Sequence, residues 1–144
     1  MKRLLLIAAL LMMTALPVAS HPSVEASNAS SELAGMHGRV WVTNKTLNTV
    51  TVYDASSGTV EAVIPVGSTP IGVIIPKGTG KAYVSNEGSN TVSVIDVASL
   101  VIIKTIPMQA GPHHMMASRD GRFLYVGEYN QNTVGVIDTS TDTA

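Results

Sequence analysis

Two adjacent histidines followed by two adjacent methionines have the clearest potential for chemistry in this sequence. His113 and His114 lie in the stretch AGPHHMMASRDG and are followed by Met115 and Met116. Imidazole and thioether groups both suit copper, so a metal site in an oxidising compartment is chemically reasonable. Adjacent strand residues point to opposite faces, however, so both histidines can face one metal only if the strand has not yet begun. A metal or cofactor site, a contact with a small ligand or partner, and ordinary loop histidines therefore stay open.

The elements that must position these residues repeat along the chain at an interval of about 42 residues, which lies among the periods of known repeat architectures. Three segments, which begin at Arg39, Lys81 and Arg122, share aromatic, valine, asparagine and aspartate positions without a gap. The matching positions are Trp41, Tyr83 and Tyr125; Val42, Val84 and Val126; Asn48, Asn90 and Asn132; Val50, Val92 and Val134; and Asp54, Asp96 and Asp138. Self-similarity at a fixed period indicates structural units that stack on one another.

Each repeat has the pattern of short strands separated by turns, because Val- and Ile-rich runs alternate with clusters of Asn, Gly, Asp and Ser. In the second unit we predict strands at about 71–76, 81–86, 91–96 and 101–107. Four strands per unit of this length are typical of β-propeller blades. The predicted fold class is therefore all-β, with propeller blades of four antiparallel strands. Only about two and a half blades are present, so we expect an incomplete ring.

Three short motifs carry a resemblance to a known family. WVTN, YVSN and YVGE, at 41–44, 83–86 and 125–128, are each followed by Asn-Thr-Val and by a strand that ends in Asp. They resemble the YVTN family of β-propeller repeats over residues 38–144. The resemblance implies a secreted, surface-layer or periplasmic propeller that carries ligands on one face, and the wider class includes haem-binding propellers. The third unit departs from the motif, with Gly127-Glu128 in place of Thr-Asn or Ser-Asn.

The N-terminal region differs in composition from the repeats. Residues 1–20 combine Lys2 and Arg3 with an apolar run and a plausible cleavage site at Ser20, which predicts a secretory signal peptide. We read residues 21–37 as a linker and 38–144 as a partial β-propeller. The protein is thus expected to be exported to the periplasm or cell surface of a bacterium, without a membrane span after cleavage. Further blades, in a longer chain or an oligomer, would be needed to close the ring.

Composition excludes some classes of function. The chain has no cysteine, so disulfides cannot stabilise it. Removal of Lys2 and Arg3 leaves seven basic residues against ten acidic ones, a formal charge of −3. This charge disfavours nucleic acid as a partner.

One face of the predicted disc gathers the candidate ligand contacts, because the turns before the first strand and after the second strand of each unit share that face. The candidates there are His113, His114, Glu128, Asn86 and Asn44. We expect the two asparagines to bond the hairpin backbone. Met115 and Met116 align with Val73 and Ile74, so core packing explains them best. Turn-forming roles are predicted for Asp54, Asp96, Asp138, Asn48, Asn90 and Asn132.

The motifs do not indicate a catalytic constellation. The sequence has no G-x-S-x-G, no H-E-x-x-H and no phosphate-binding glycine loop. The first hypothesis is therefore an exported, non-catalytic binding or scaffold module that recognises a protein, an envelope component or a small ligand, with no cofactor. The alternative is a redox-associated periplasmic propeller that contacts a metal or haem through His113 or His114.

Overall fold

Ten antiparallel β-strands make up residues 38–144, the part of the chain that the computed structural model describes. The strands are β1 (Arg39–Asn44), β2 (Thr49–Asp54), β3 (Val60–Pro65), β4 (Pro70–Ile74), β5 (Lys81–Asn86), β6 (Thr91–Asp96), β7 (Val101–Pro107), β8 (Pro112–Ala117), β9 (Phe123–Glu128) and β10 (Thr133–Asp138). The predicted signal peptide (1–20) and linker (21–37) lie outside the described residues. Across residues 38–144 no helix is long and apolar enough to cross a membrane.

The strands form three sheets in chain order, which we call the first sheet (β1-β2-β3), the central sheet (β4-β5-β6-β7) and the third sheet (β8-β9-β10). Every pair joins strands that are consecutive in sequence, so each sheet is an antiparallel meander. The all-β, antiparallel prediction is confirmed. The central sheet has four strands, and the other two have three each within the described residues.

The predicted strands of the second unit agree closely with the central sheet. β5, β6 and β7 have the predicted bounds, whereas β4 begins at Pro70 and ends at Ile74 rather than spanning 71–76. Pro76 explains the earlier end, because proline has no N–H to donate to a sheet. Instead, the carbonyl of Pro76 accepts a hydrogen bond from Thr79 N in the turn that leads to β5.

Apolar side chains fill the spaces between consecutive sheets. Val50 and Val52 of the first sheet pack against Ala82, Val84 and Ile95 of the central sheet. The other face of the central sheet packs on the third sheet through a second cluster: Tyr83, Val92, Val94, Ile106, Met108, Leu124, Val126 and Ile137. Both faces of the central strands are therefore buried, which is why their sequences do not alternate cleanly between apolar and polar residues.

Asparagines in the hairpin turns tie each sheet to the next. Asn48 and Asn90 have positive φ angles of 55° and 52°, a conformation that asparagine tolerates better than most residues. Oδ1 of Asn48 accepts a hydrogen bond from Thr69 N, and Oδ1 of Asn90 accepts one from Gly111 N, both at 2.8 Å. Asn132 has a similar φ of 54° at the corresponding turn of the third sheet. These turns and the loops they hold lie on one face of the stack, which we call the histidine face.

The aspartates at the ends of β2, β6 and β10 form turns on the opposite face. Oδ1 of Asp54 accepts hydrogen bonds from Ser56 N and Ser57 N, and Oδ1 of Asp96 accepts one from Ser99 N. Oδ1 of Asp138 likewise accepts a hydrogen bond from the backbone N–H that lies two residues later. Each carboxylate therefore satisfies the backbone of its own turn, as short polar side chains commonly do.

Candidate ligand-binding site

A β-bulge at the start of β8 brings the two histidine rings together. Pro112 pairs with Glu128 and Met115 pairs with Val126, so the register shifts by one residue across His113 and His114. The extra residue breaks the alternation of side chains. Nδ1 of His113 lies 2.6 Å from Nδ1 of His114, and the ring centroids are 4.4 Å apart. The bulge therefore brings both rings to one cavity within the strand, although regular alternation would place them on opposite faces.

The contact between the two Nδ1 atoms determines which nitrogens can bind a ligand. In a neutral pair one ring donates its Nδ1–H and the other accepts through Nδ1. The donating ring then has a lone pair on Nε2, whereas the accepting ring carries its proton there. Among residues 38–144 no hydrogen bond engages Nε2 of His113 or His114. The pair therefore presents one imidazole lone pair and one N–H donor.

Tyr129 adds a third ring to this group. Its centroid lies 5.7 Å from that of His113, and its side chain is 72% exposed. Tyr129 was missed in the sequence analysis. The sequence feature that could have indicated Tyr129 is its repeat position directly after Glu128, where the other two repeats have the charged residues Lys45 and Glu87. An aromatic residue in place of a charged one favours a contact with a ligand surface rather than with water.

These residues surround an open cavity of about 240 Å³. We call it the histidine site, and its lining comprises His113, His114, Gly127, Glu128, Tyr129, Asn132 and Thr133. The volume is slightly below the roughly 300 Å³ of the smallest common ligand pockets. The histidine site therefore suits a small ligand, or the edge of a larger one.

Glu128 forms the buried floor of the histidine site. Its side chain is nearly inaccessible, with Oε1 accepting a hydrogen bond from Gln109 N at 3.2 Å and Oε2 accepting one from Thr133 Oγ1 at 2.7 Å. Both oxygens are therefore engaged by the protein. Direct ligation by Glu128 would therefore require one of these two bonds to break.

Asn44 and Asn86 are at the same repeat position as Glu128 but do not line the histidine site. Nδ2 of Asn44 donates to the hydroxyls of Thr49 and Thr51. Nδ2 of Asn86 donates in the same way to the hydroxyls of the residues five and seven positions later. Both amides thus bond side chains across the hairpin, whereas the sequence suggested bonds to the hairpin backbone. The second hydroxyl has no counterpart in the third sheet, because Gly135 occupies that place.

A buried serine of the central sheet holds the backbone of the histidine strand. Ser85 Oγ donates to the carbonyl of His113 at 2.6 Å and accepts from Gly72 N at 3.1 Å. Thr43 makes the equivalent bond to the carbonyl of Ile71 at 3.1 Å. The third sheet has Gly127 at this position, and the absence of a side chain there leaves space beside His114.

The two methionines do not join the histidines in a ligand set. Met115 is half-buried against the cluster between the central and third sheets, as expected for a packing residue. Met116 is 71% exposed, so the expectation that it packs in the core is wrong. In the described part of the chain, no group of three or more His, Asp or Glu side chains could hold a metal ion. The two histidines of the site are thus not part of a larger group of this kind within residues 38–144.

Comparison with known proteins gives structural relatives only. No protein-family model and no curated protein sequence matches the chain. Hydrazine synthase of Kuenenia stuttgartiensis has a similar structure, with a TM-score of 0.69 and 28% identity over 73% of this chain and 30% of that one. The dihydro-heme d1 dehydrogenase NirN in complex with DHE has a TM-score of 0.63 and 19% identity over 70% and 22%. A protein of unknown function from Bacteroides caccae has a TM-score of 0.60 and 11% identity over 74% and 44%.

These relatives define the class of fold. They are β-propeller-type proteins, so the described chain has a propeller-like fold. The chain spans less than half the length of each of these three proteins. Membership of the YVTN family stays a prediction, because no family model supports it.

The comparisons contradict the prediction that this protein is not an enzyme. Two of the similar structures belong to enzymes, a synthase and a dehydrogenase. The prediction relied on the absence of sequence motifs for a nucleophile, a catalytic metal or a phosphate-binding loop. That absence carries little weight for this fold, because function is determined by the site and not by the fold, and a bound cofactor can supply the reactive group.

Proposed function

We propose that this chain is part of an exported, redox-associated β-propeller in which the histidine site binds a metal-bearing ligand such as haem. The three sheets would be successive blades of one sequence repeat, with four strands in a full blade. The histidine face would be the face of the disc that meets ligands. Export rests on the predicted signal peptide at residues 1–20.

One observation carries this proposal: the bulge in β8 places both imidazoles at one cavity, with their Nδ1 atoms 2.6 Å apart. Metal-binding histidines commonly use one ring nitrogen for the metal and the other for a hydrogen bond that fixes the tautomer. His113 and His114 fix each other's tautomer in this way. The pair therefore offers a single Nε2 lone pair, which would supply one protein ligand to a haem iron.

The residues around the pair fit a planar ligand better than a bare ion. Tyr129 exposes its ring beside His113 and can stack on a flat aromatic surface. Among residues 38–144, no group of three or more His, Asp or Glu side chains converges as a structural metal site made by protein alone would need. A bound haem would supply one-electron chemistry, while His113, His114 and Tyr129 would bind and orient it. A dihydro-heme d1 dehydrogenase among the structural relatives also supports a redox-associated role.

Titration of the purified protein with haem tests the proposal. We expect saturable one-to-one binding, with a shift of the haem absorption bands that indicates imidazole ligation. The double variant His113→Ala/His114→Ala should lose the shift, and free imidazole should restore it if the cavity persists. Lys77→Ala, on the opposite face, is the matched control and should bind as the unsubstituted protein does. Equal binding by the double variant and the control would reject the proposal.

The second candidate is recognition of a small ligand or an envelope component without a metal, favoured by the open shape of the site and the exposure of Tyr129. A soluble cell-wall fragment is a suitable probe. Chemical-shift changes confined to His113, His114 and Tyr129 in an NMR titration, together with an absence of haem binding, would support this candidate over the first.

A further inference from the structure

The outer surfaces of the first and third sheets carry rows of exposed apolar side chains. On the third sheet, Met116, Tyr125 and Val136 lie side by side across three strands, because Tyr125 pairs with both of the others. Val134 is exposed beside them. On the first sheet Val40 and Val42 are exposed in the same way. Contiguous apolar patches of this kind on a soluble protein commonly mark a binding surface.

The two internal contacts between sheets show what such a surface binds. Each contact joins a forward face, which packs on the next sheet in the chain, to a rear face, which packs on the preceding one. The first contact joins the forward face Trp41, Val50 and Val52 to the rear face Ala82, Val84 and Ile95. The second contact joins the forward face Tyr83, Val92 and Val94 to the rear face Leu124, Val126 and Ile137.

The exposed rows occupy the same repeat positions as these buried faces. Tyr125, Val134 and Val136 follow Tyr83, Val92 and Val94 by one repeat interval and form the forward face of the third sheet. The rear face of the first sheet consists of the exposed Val40 and Val42 and the half-buried Tyr53, which precede Ala82, Val84 and Ile95 by the same interval. The chain therefore displays one forward face and one rear face of the kind that it joins twice internally.

We propose that the forward face of the third sheet binds the rear face of the first sheet on a second copy of this chain. The contact continues the stacking of the two internal interfaces and does not depend on the histidine site. It is heterologous, because two different surfaces meet. A contact between two forward faces would oppose Tyr125 to Tyr125, a pairing that neither internal interface uses.

Each internal interface has a hydrogen bond from a basic side chain to a backbone carbonyl of the next sheet. The contact between copies lacks this bond, so association between copies should be reversible. Arg39 donates a hydrogen bond to the carbonyl of Val97 in the next sheet, and Lys81 donates one to the carbonyl of Thr139. The third sheet has Phe123 at this position instead of a basic residue. The contact between copies thus lacks this hydrogen bond and relies mainly on apolar burial, and we expect association that increases with protein concentration.

Two charge substitutions and their mixture test the proposal by sedimentation velocity. Val136→Asp places a carboxylate on the forward face of the third sheet, and Val42→Asp places one on the rear face of the first sheet. Each variant alone should associate at least about tenfold more weakly than the unsubstituted protein, because it buries an unpaired charge. An equal mixture should regain a one-to-one complex, since each variant retains the face that the other has lost. Leu47→Asp, in an exposed turn outside both faces, should associate normally.

Three outcomes would overturn the proposal. The first is an unsubstituted protein that stays monomeric at every concentration tested. The second is a mixture that does not recover, which would mean that the two faces do not bind each other. The third is normal association by either single variant, which indicates a contact that uses only one of the two faces, such as an isologous one. Circular dichroism of each variant verifies that loss of association is not loss of fold.

Discussion

The hydroxyl of Tyr83 in the central sheet donates a 2.5 Å hydrogen bond to Oδ1 of Asp142 in the last turn of the third sheet. Oδ2 of the same carboxylate accepts a hydrogen bond from Lys81 Nζ at 2.7 Å. Lys81 Nζ also donates to the carbonyl of Thr139. Both Tyr83 and Asp142 are buried, so this polar group fixes one edge of an otherwise apolar contact between two sheets.

Tyr83→Phe should therefore destabilise the protein although it removes only one oxygen. The substitution leaves Oδ1 of Asp142 buried without its donor, which commonly costs about 1–3 kcal/mol. Chemical denaturation measures the change in the free energy of unfolding. Tyr125→Phe is the matched control, since Tyr125 has the same repeat position on a half-exposed face, and it should change stability little. Equal stability of the two variants would contradict the assigned role of the bond.

The same tyrosine should make stability fall at alkaline pH. Burial, together with the hydrogen bond to Asp142, raises the pKa of Tyr83 well above its ordinary value of about 10. The folded state then retains a proton that the unfolded state loses, so this contribution is complete below pH 10 and is lost as the pH rises above it. Unfolding free energies measured across this range should decline less steeply for Tyr83→Phe. Parallel declines in the two proteins would count against the burial of the phenol.

Acid titration should identify Asp54 as an unusually strong acid. The hydroxyl of Ser56 and the backbone N–H of Ser57 donate to its carboxylate and lower its pKa to about 2. The folded pKa is below the unfolded one, so the stabilising effect is present above pH 3.8 and is lost as the pH falls towards 2. NMR titration of the carboxyl carbon should show the pKa of Asp54 rising in Ser56→Ala. Ser99→Ala, which affects Asp96 in the next repeat, should leave Asp54 unchanged.

Two glycines with positive φ should respond differently to alanine. Gly111 has a φ of 46° and Gly78 a φ of 77°, so alanine at either position strains the backbone by about 1–2 kcal/mol. At Gly111 the new Cβ would also lie 2.6 Å from Nδ2 of Asn130, whereas at Gly78 it would have no neighbour within 4 Å. Thermal unfolding should therefore show a larger loss for Gly111→Ala. A larger loss for Gly78→Ala would contradict this packing of the loop against the turn that carries Tyr129.

Ser85→Ala should weaken ligand binding at the histidine site, although Ser85 does not line that site. The hydroxyl holds the carbonyl of His113, and its loss would leave Gly72 N without its acceptor at the cost of about 1–3 kcal/mol. Thr43→Ala removes the equivalent bond one sheet away and serves as the control. The haem titration should weaken for Ser85→Ala alone. Equal weakening by both variants would show a general effect of stability instead of a positioning role.

Much of the fold could be predicted from the repeat. The bounds of β5, β6 and β7 agree with the predicted strands, because valine, isoleucine and turn residues recur at fixed positions. The end of β4 could not be located as well, since Pro76 stops the strand earlier than its apolar pattern suggests. The exposure of Met116 could not be predicted, because it depends on which sheet lies against β8, and that information is not local. The hydroxyl partners of Asn44 and Asn86 are local, since they lie five and seven residues later in the same hairpin, but the repeat pattern does not distinguish them from backbone partners.

The sequence by itself determined an all-β chain with one constant repeat interval, and it singled out His113, His114 and Glu128 as departures from that repeat. Only the tertiary structure decided what these departures make together. The bulge in β8 turns adjacent histidines towards each other, and the pairing with β9 places Glu128 and Tyr129 at the same cavity. The physical reason is that side-chain periodicity is a local property of the backbone, whereas a register shift and a shared cavity arise from the pairing of segments distant in sequence.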